Sequence, residues 1–250
     1  MKERIVGKLR EIEQIYNVGI LLAVESGSRA WGFASPDSDY DVRFIYVRKK
    51  NDYLRLEEVR DVIELPISSE LDINGWDLQK ALRLLYKSNP TVFEWLSSPM
   101  IYLETEYAKD LRKLAPSYFS PQRSLYHYVH MAEGNYREYL RGETVRAKKY
   151  FYVLRPVLAC NWILDKGTPP PMLFSNLVAA ELPNALESTV DSLMDLKMNS
   201  PEIKEIARID ALNHYLDDRI LQIKDQIAEL TEYKTRGWEE LDELFYSLLN

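Results

Sequence analysis

Two apolar segments that flank a glycine turn constrain the fold of this chain more than any other feature. The first segment, residues 20–24 (ILLAV), has the length of a buried strand and stops at Ser26-Gly27-Ser28. The second segment, residues 42–47 (VRFIYV), alternates and is rich in β-branched and aromatic residues, which is typical of a strand. The sequence therefore predicts two strands with a tight turn after the first.

Two carboxylates, Asp39 and Asp41, come just before the second predicted strand. Side chains two positions apart in a strand lie on one face, about 7 Å apart along the backbone, so these charges repel each other. A divalent cation removes that repulsion, and Mg²⁺ typically takes one or two carboxylates together with substrate phosphates. Gly27 lets the backbone approach a ligand closely, and amides after a strand bind phosphate oxygens. The stretch predicts a site for a metal-chelated nucleoside triphosphate (NTP).

The spacing of these groups resembles a known signature. Residues 27–28 (GS), followed after nine residues by residues 38–41 (SDYD), resemble the motif of the DNA-polymerase-β-type nucleotidyltransferase superfamily. Residues 29–32 (RAWG) also match its small members. The alternative interpretation is a solvated turn leading into an edge strand, with both aspartates exposed.

The resemblance implies roles for the residues of the motif. Asp39 and Asp41 are expected to be catalytic and to hold two Mg²⁺ ions, for which Mn²⁺ is expected to substitute. Gly27 and Ser28 are expected to bind the β- and γ-phosphates of the NTP, and Arg29 is expected to contribute to nucleotide binding.

A third carboxylate is expected from a later strand beside the Asp-x-Asp strand, as in other members of the superfamily. Asp72 alternates with Leu71 and Ile73 in a short predicted strand and so faces the opposite side. It is our candidate for the third catalytic and metal-binding residue. Asp77 is the alternative, although its place before a helical segment also explains it as an N-cap.

A second group of motifs narrows the resemblance. Residues 75–82 (GWDLQKAL), 89–90 (NP) and 94–99 (EWLSSP) resemble the RlaP family, also called YcgL-like, of nucleotidyltransferases associated with RNA repair. This resemblance covers most of the chain. It implies transfer of an NMP from an NTP to an RNA 3′ end, with release of pyrophosphate. The alternatives are an adenylyltransferase that modifies a protein or a small molecule, and a nucleotide-binding module without turnover.

The chain is expected to form two domains of the α+β class. Strand patterns disappear after Pro116-Ser117, where helical spacing of apolar residues takes over. Residues 1–115 are expected to form a polymerase-β-like mixed sheet with helices, which is the catalytic domain. Residues 116–250 are expected to form an all-helical domain that binds nucleotide and substrate.

A basic and aromatic cluster lies on one long predicted helix of the second domain. Lys149, Tyr152 and Arg155 are its candidate nucleotide-binding residues. The cations are suited to the triphosphate and the tyrosine to stacking near the base. In the alternative interpretation, the basic side chains extend over an apolar helix face.

Composition and charge restrict the compartment and the partners that we expect for this chain. No apolar stretch approaches the length of a bilayer span, and the N-terminal residues lack the apolar core of a signal peptide. A single cysteine, Cys160, is typical of a reducing compartment, so a cytoplasmic protein without a membrane partner is expected. The net charge of −7 disfavours binding of long nucleic acid over the whole surface but is compatible with a local basic groove. The sequence leaves the preferred base and the oligomeric state open.

Overall fold

The computed structural model describes residues 1–67, 70–199, 205–230 and 236–249. Its fold is α+β, and the chain divides into two compact units. The first unit contains residues 1–30, 39–118 and 236–249 of the described chain. The second contains residues 31–38 and the described residues between 119 and 230. The domain boundary at residues 115 and 116 stays a prediction.

The helices and strands are numbered along the whole chain. The helices are α1 (Lys2–Tyr16), α2 (Gly27–Ala30), α3 (Lys50–Tyr53), α4 (Leu78–Tyr86), α5 (Pro90–Ser97), α6 (Glu106–Leu114), α7 (Pro121–Tyr139), α8 (Ala147–Lys166), α9 (Phe174–Glu181), α10 (Glu187–Met198), α11 (Asp210–Ala228) and α12 (Glu239–Leu249). The strands are β1 (Gly19–Glu25), β2 (Tyr40–Val47), β3 (Val62–Glu64), β4 (Leu71–Asp77), β5 (Ile101–Glu104), β6 (Thr144–Arg146) and β7 (Glu205–Ala207). Short 3₁₀ helices cover Ala115–Tyr118 and Asn184–Leu186.

A five-stranded mixed sheet organises the first unit. Its strand order is β3-β4-β2-β1-β5, in which β2 and β4 are parallel and the other neighbours are antiparallel. The two strands predicted around the glycine turn are confirmed as β1 and β2, which are neighbours in the sheet. Because β2 and β4 are parallel, their N-terminal ends lie at the same end of the sheet.

The core of the first unit forms where α1 packs on the sheet. Apolar positions of α1 at helical spacing are fully buried: Ile5, Leu9 and Ile12. They join the inward-facing side chains of β2, among them Phe44, in one cluster. Gly75 on β4 leaves room for the Phe44 ring, since a Cβ atom there would lie 2.2 Å from it. This packing fixes which face of β2 and β4 is buried and which carries polar side chains.

Side-chain caps define the helices that follow β4. Asp77 accepts a hydrogen bond of 2.8 Å from the Gln79 N–H and begins α4. Asn89 accepts one of 3.0 Å from the Thr91 N–H and begins α5, with Pro90 in the first turn. Trp95 of α5 is buried. The last helix, α12, belongs to the first unit, although its residues lie within the predicted second domain.

The second unit is mainly helical. Helices α7, α8, α9, α10 and α11 enclose its apolar core, in which Cys160 is completely buried. Two three-residue strands, β6 and β7, pair antiparallel in this unit. These strands are not predicted from the sequence, because three residues are too few for an alternating pattern. Among the described residues, no helix combines the length and the apolar character that a membrane span needs.

Candidate active site

One end of the five-stranded sheet brings the residues of the Gly-Ser and Asp-x-Asp motifs together. Glu25, the last residue of β1, lies opposite Val42 on the antiparallel strand β2. Asp41, near the start of β2, lies directly opposite Asp72 on the parallel strand β4. The turn after β1 and two of the three predicted catalytic carboxylates therefore share one end of the sheet.

Gly27 packs directly against the Asp41 carboxylate. Its φ is +58°, in the left-handed region that favours glycine, and it begins the short helix α2. A Cβ atom on residue 27 would lie 2.0 Å from Asp41 Oδ2, which is far inside van der Waals contact. The N–H of Ser26 also donates a 2.8 Å hydrogen bond to the Asp41 carbonyl oxygen. Gly27 and the half-buried Ser28 thus form a turn whose backbone touches the carboxylate.

Arg43 joins Asp41 to Asp72. Its Nη2 atom donates to Asp41 Oδ1 at 2.9 Å and to Asp72 Oδ2 at 2.7 Å. Its Nη1 atom donates to the Asp72 carbonyl oxygen at 3.0 Å. The three side chains are partly buried, with exposed fractions of 23% for Asp41, 26% for Asp72 and 18% for Arg43. One guanidinium thereby balances two carboxylates that the sheet places side by side.

Arg43 is not among the site residues that the sequence predicts. The available signal was its position two residues after Asp41, which places both side chains on the same face of β2.

Asp39 lies just before β2, since that strand begins at Tyr40. Its side chain is exposed, and it makes no hydrogen bond or ion pair with any residue that the structure describes. Its carbonyl oxygen accepts a 2.9 Å hydrogen bond from Arg29 Nε. The Arg29 guanidinium also lies 3.8 Å from the centre of the Tyr40 ring. Arg29 therefore fixes the backbone at Asp39 and leaves the Asp39 carboxylate accessible.

Glu25 supports the site from inside the protein. It is completely buried, and its Oε1 atom accepts a 2.9 Å hydrogen bond from the Asp41 N–H. Its other carboxylate oxygen accepts a hydrogen bond from the Tyr102 hydroxyl. Burial raises the pKa of the Glu25 carboxyl, although the hydrogen bonds from Tyr102 and Asp41 act in the opposite direction. Glu25 is not among the predicted site residues either, because its only signal in the sequence is an acid at the end of an apolar strand.

Asp77 lies at the other end of β4 from Asp72. It pairs in register with Tyr46, whereas Asp72 pairs with Asp41. Besides capping α4, it accepts a 3.1 Å hydrogen bond from the Tyr53 hydroxyl and lies 3.6 Å from Arg48 Nε. Burial raises the pKa of the Asp77 carboxyl. Of the two candidates for the third carboxylate, the structure places Asp72 beside Asp41 and gives Asp77 a structural role.

The three candidate residues of α8 belong to the second unit. Lys149 Nζ lies 3.5 Å from the Tyr139 ring centre and 4.7 Å from that of Tyr152. Arg155 is buried, with its guanidinium 4.5 Å from the Trp31 ring centre. Lys149 and Tyr152 therefore lie together, whereas Arg155 contacts a different aromatic ring. The role of the three residues in nucleotide binding stays a prediction.

The carboxylates at the sheet end suit a magnesium ion that also binds phosphates. Over the described ranges, no group of three or more His, Cys, Asp or Glu side chains is arranged to hold a metal by itself. Mg²⁺ needs only one or two carboxylates when substrate phosphates complete its coordination. The Arg43 guanidinium shows that positive charge is accommodated between Asp41 and Asp72, and Asp39 adds an accessible carboxylate. The chemistry of this donor set therefore fits the metal.

The chain is similar to known proteins over nearly its whole length. It is 50% identical to the protein YcgL of Bacillus subtilis (strain 168) over 248 residues, which are 98% of this chain and 95% of that protein. A crystal structure of a nucleotidyltransferase-like protein from Exiguobacterium sibiricum 255-15 aligns with 90% of this chain and 74% of that one. Its 14% identity and TM-score of 0.32 are too low to bear on the fold. The model of the family described as "RlaP: RNA repair pathway DNA polymerase beta family" matches residues 1–247, so the chain belongs to the RlaP family, as its motifs predict.

Proposed function

We propose that this protein is a metal-dependent nucleotidyltransferase that moves an NMP from an NTP to the 3′ hydroxyl of an RNA and releases pyrophosphate. One observation carries the proposal. Asp41 and Asp72 lie opposite each other at the sheet end, against the Gly27 turn, in a chain of a polymerase β family. Two-metal phosphoryl transfer uses carboxylates that lie close together, and Asp41 and Asp72 form such a pair.

The residues of the sheet end bind the nucleotide in this proposal. Asp39, Asp41 and Asp72 hold two Mg²⁺ ions, which when bound neutralise the triphosphate charge and lower the pKa of the attacking hydroxyl. The backbone of Gly27 and Ser28 contacts the β- and γ-phosphates, a contact that the positive φ of Gly27 supports. Arg29 donates a hydrogen bond to the Asp39 carbonyl oxygen and fixes the backbone that carries the Asp39 carboxylate.

The transfer itself exchanges one P–O bond for another. The oxygen of the RNA 3′ hydroxyl attacks the α-phosphorus of the NTP, and the bond from that phosphorus to the α,β-bridging oxygen breaks. The Asp72 carboxylate accepts the hydroxyl proton, and pyrophosphate leaves. Most of the acceleration comes from holding the two reactants in line and from neutralising charge.

The RNA acceptor is the most specific part of the proposal. The family description, which names an RNA repair pathway, supports it. In the test, the protein is incubated with Mg²⁺, an RNA oligonucleotide that ends in a 3′ hydroxyl and each of the four α-labelled NTPs in turn. Transfer of label to the RNA is measured. The matched control is the same oligonucleotide with a 3′-deoxy end.

We expect label to appear only on the RNA with the 3′ hydroxyl, and the best NTP identifies the base preference. Label on a protein or small molecule from a cell extract would contradict the RNA acceptor and support the adenylyltransferase alternative. NTP binding without transfer to any acceptor would instead support a nucleotide-binding module.

A further inference from the structure

We infer that Arg43 is a positioning residue that holds Asp41 and Asp72 together before metal binds, and that it competes with a divalent cation for these carboxylates. The inference rests on the proposed function, because that function places the metal at this pair. Arg43 lies outside the Gly-Ser and Asp-x-Asp motifs from which the site was predicted.

The contacts of Arg43 link two strands through one side chain. A single nitrogen, Nη2, donates to both carboxylates, at 2.9 Å to Asp41 and 2.7 Å to Asp72. The other terminal nitrogen, Nη1, donates to the carbonyl oxygens of Val42, at 3.2 Å, and of Asp72, at 3.0 Å. The guanidinium is therefore fixed by the backbone of β2 and β4 and not only by the two acids. Charge-assisted hydrogen bonds of this kind are among the stronger ones in proteins.

The charges explain why the arginine is there. The register of the parallel strands puts Asp41 directly beside Asp72, and both are partly buried, so their mutual repulsion is poorly screened by water. A cation between them removes this repulsion, and in the protein without metal Arg43 supplies it. Arg43 thus orders the two carboxylates in advance.

The same contacts oppose metal binding. A divalent ion needs oxygen atoms to which Arg43 already donates, and its charge repels the guanidinium at short range. Asp41 and Asp72 therefore exchange an arginine for a metal when the site is loaded. This exchange favours binding of the metal together with an NTP, whose phosphates bring negative charge, over binding of the metal alone.

Removal of the Arg43 charge should change two measurable quantities in opposite directions. In the absence of metal, the variant Arg43→Met should unfold at a lower temperature than the wild type. The reason is that Asp41 and Asp72 repel each other when the guanidinium is gone. It should also bind Mn²⁺ about tenfold more tightly in the absence of nucleotide, because the competing charge is gone. A purely structural arginine would lower the unfolding temperature without raising metal affinity.

The experiment measures free Mn²⁺ by its electron paramagnetic resonance signal in a titration of the full chain without nucleotide. The matched control is Arg48→Met, since Arg48 is similarly buried, with 14% of its side chain exposed, but pairs with Asp77 instead of the site carboxylates. We expect Arg48→Met to destabilise the protein and to leave Mn²⁺ affinity unchanged. The double variant Arg43→Met with Asp41→Asn should lose the gain in affinity, which locates the effect.

Arg43→Gln provides a second test if Arg43→Met does not fold, because it keeps hydrogen-bond donors and removes the charge. Unchanged or weaker Mn²⁺ binding in the folded Arg43 variants would overturn the inference, and so would a lack of Mn²⁺ binding by every variant. Tighter Mn²⁺ binding in an Arg43 variant, combined with no nucleotidyl transfer by the wild type, would contradict the proposed function and leave the inference about Arg43 standing.

Discussion

Gly27 and Asp41 lie so close together that a Cβ atom on residue 27 would be 2.0 Å from Asp41 Oδ2. The backbone of Gly27 also has a φ of +58°, which other residues adopt only at a cost. Two independent constraints, conformation and space, therefore select glycine at this position. Both act where the turn after β1 meets a carboxylate of the candidate site.

Gly27→Ala should therefore impair both stability and the site. We expect a loss of about 1–2 kcal/mol in the free energy of unfolding from the left-handed backbone. We also expect transfer activity to fall by about 100-fold, since the Asp41 carboxylate must move. Urea denaturation and the transfer assay measure the two effects. The control is Gly7→Ala in α1, where an added Cβ has nothing within 4 Å and should not harm either property. Normal activity in Gly27→Ala would contradict the account.

Asp72 and Asp77 should differ in their importance for catalysis. Asp72→Asn should lower transfer by about 100- to 10,000-fold while the protein stays folded, because the proposed proton acceptor and metal ligand is lost. Asp77→Asn should retain most of the activity, because Asp77 caps α4 at the other end of β4. Steady-state transfer rates of the two variants test this. Loss of activity in Asp77→Asn with a fully active Asp72→Asn would reverse the assignment.

Asp77 should also make stability depend on pH. Burial raises the pKa of its carboxyl in the folded state above the ordinary value of 3.8. The folded protein therefore holds this proton more tightly than the unfolded chain does, and the resulting stability is present at low pH and lost as the pH rises through the folded-state pKa.

Asp77→Asn removes this dependence. The unfolding free energy of the wild type, measured relative to Asp77→Asn by urea denaturation, should therefore decrease between pH 3 and pH 7. A relative stability that instead increases with pH would mean that the fold lowers the pKa of Asp77.

Cys160 should be inert in the folded protein. Its thiol is completely buried in the core of the second unit, and this burial raises its pKa, which disfavours the reactive thiolate. A thiol reagent such as dithionitrobenzoate should react with the native chain about 1,000-fold more slowly than with the chain in denaturant. Reaction of the native protein at the denatured rate would show that this core opens freely.

The positions closest to the sequence motif were predictable. The apolar run before Gly27 and the alternation after Asp41 identified the neighbouring strands β1 and β2, because burial on one or both faces leaves a clear pattern in the sequence. The alternation of Asp72 with apolar neighbours likewise placed it on the polar face of β4. In each case, local periodicity alone determines which way the side chain points.

The supporting residues were not predictable in the same way. Arg43 and Glu25 act through neighbours on other strands, and sequence periodicity does not reveal which strands are adjacent. The parallel pairing of β2 with β4 forms across a connection of more than twenty residues, and no local signal in that connection specifies the partner. The assignment of α12 to the first unit depends on a similarly distant contact along the chain.

The most direct measurement of the central claim compares transfer from α-labelled NTPs to RNA by the wild type, Asp41→Asn and Asp110→Asn, with Mg²⁺ and with a chelator. Asp110 is an exposed acid on α6 that pairs only with Lys113 among the contacts described, so its variant controls for loss of one negative charge. We expect the wild type and Asp110→Asn to transfer label only with Mg²⁺. Asp41→Asn should be slower by about 1,000-fold or more while the protein stays folded. Full turnover by Asp41→Asn, or transfer by the wild type in the chelator, would contradict the account.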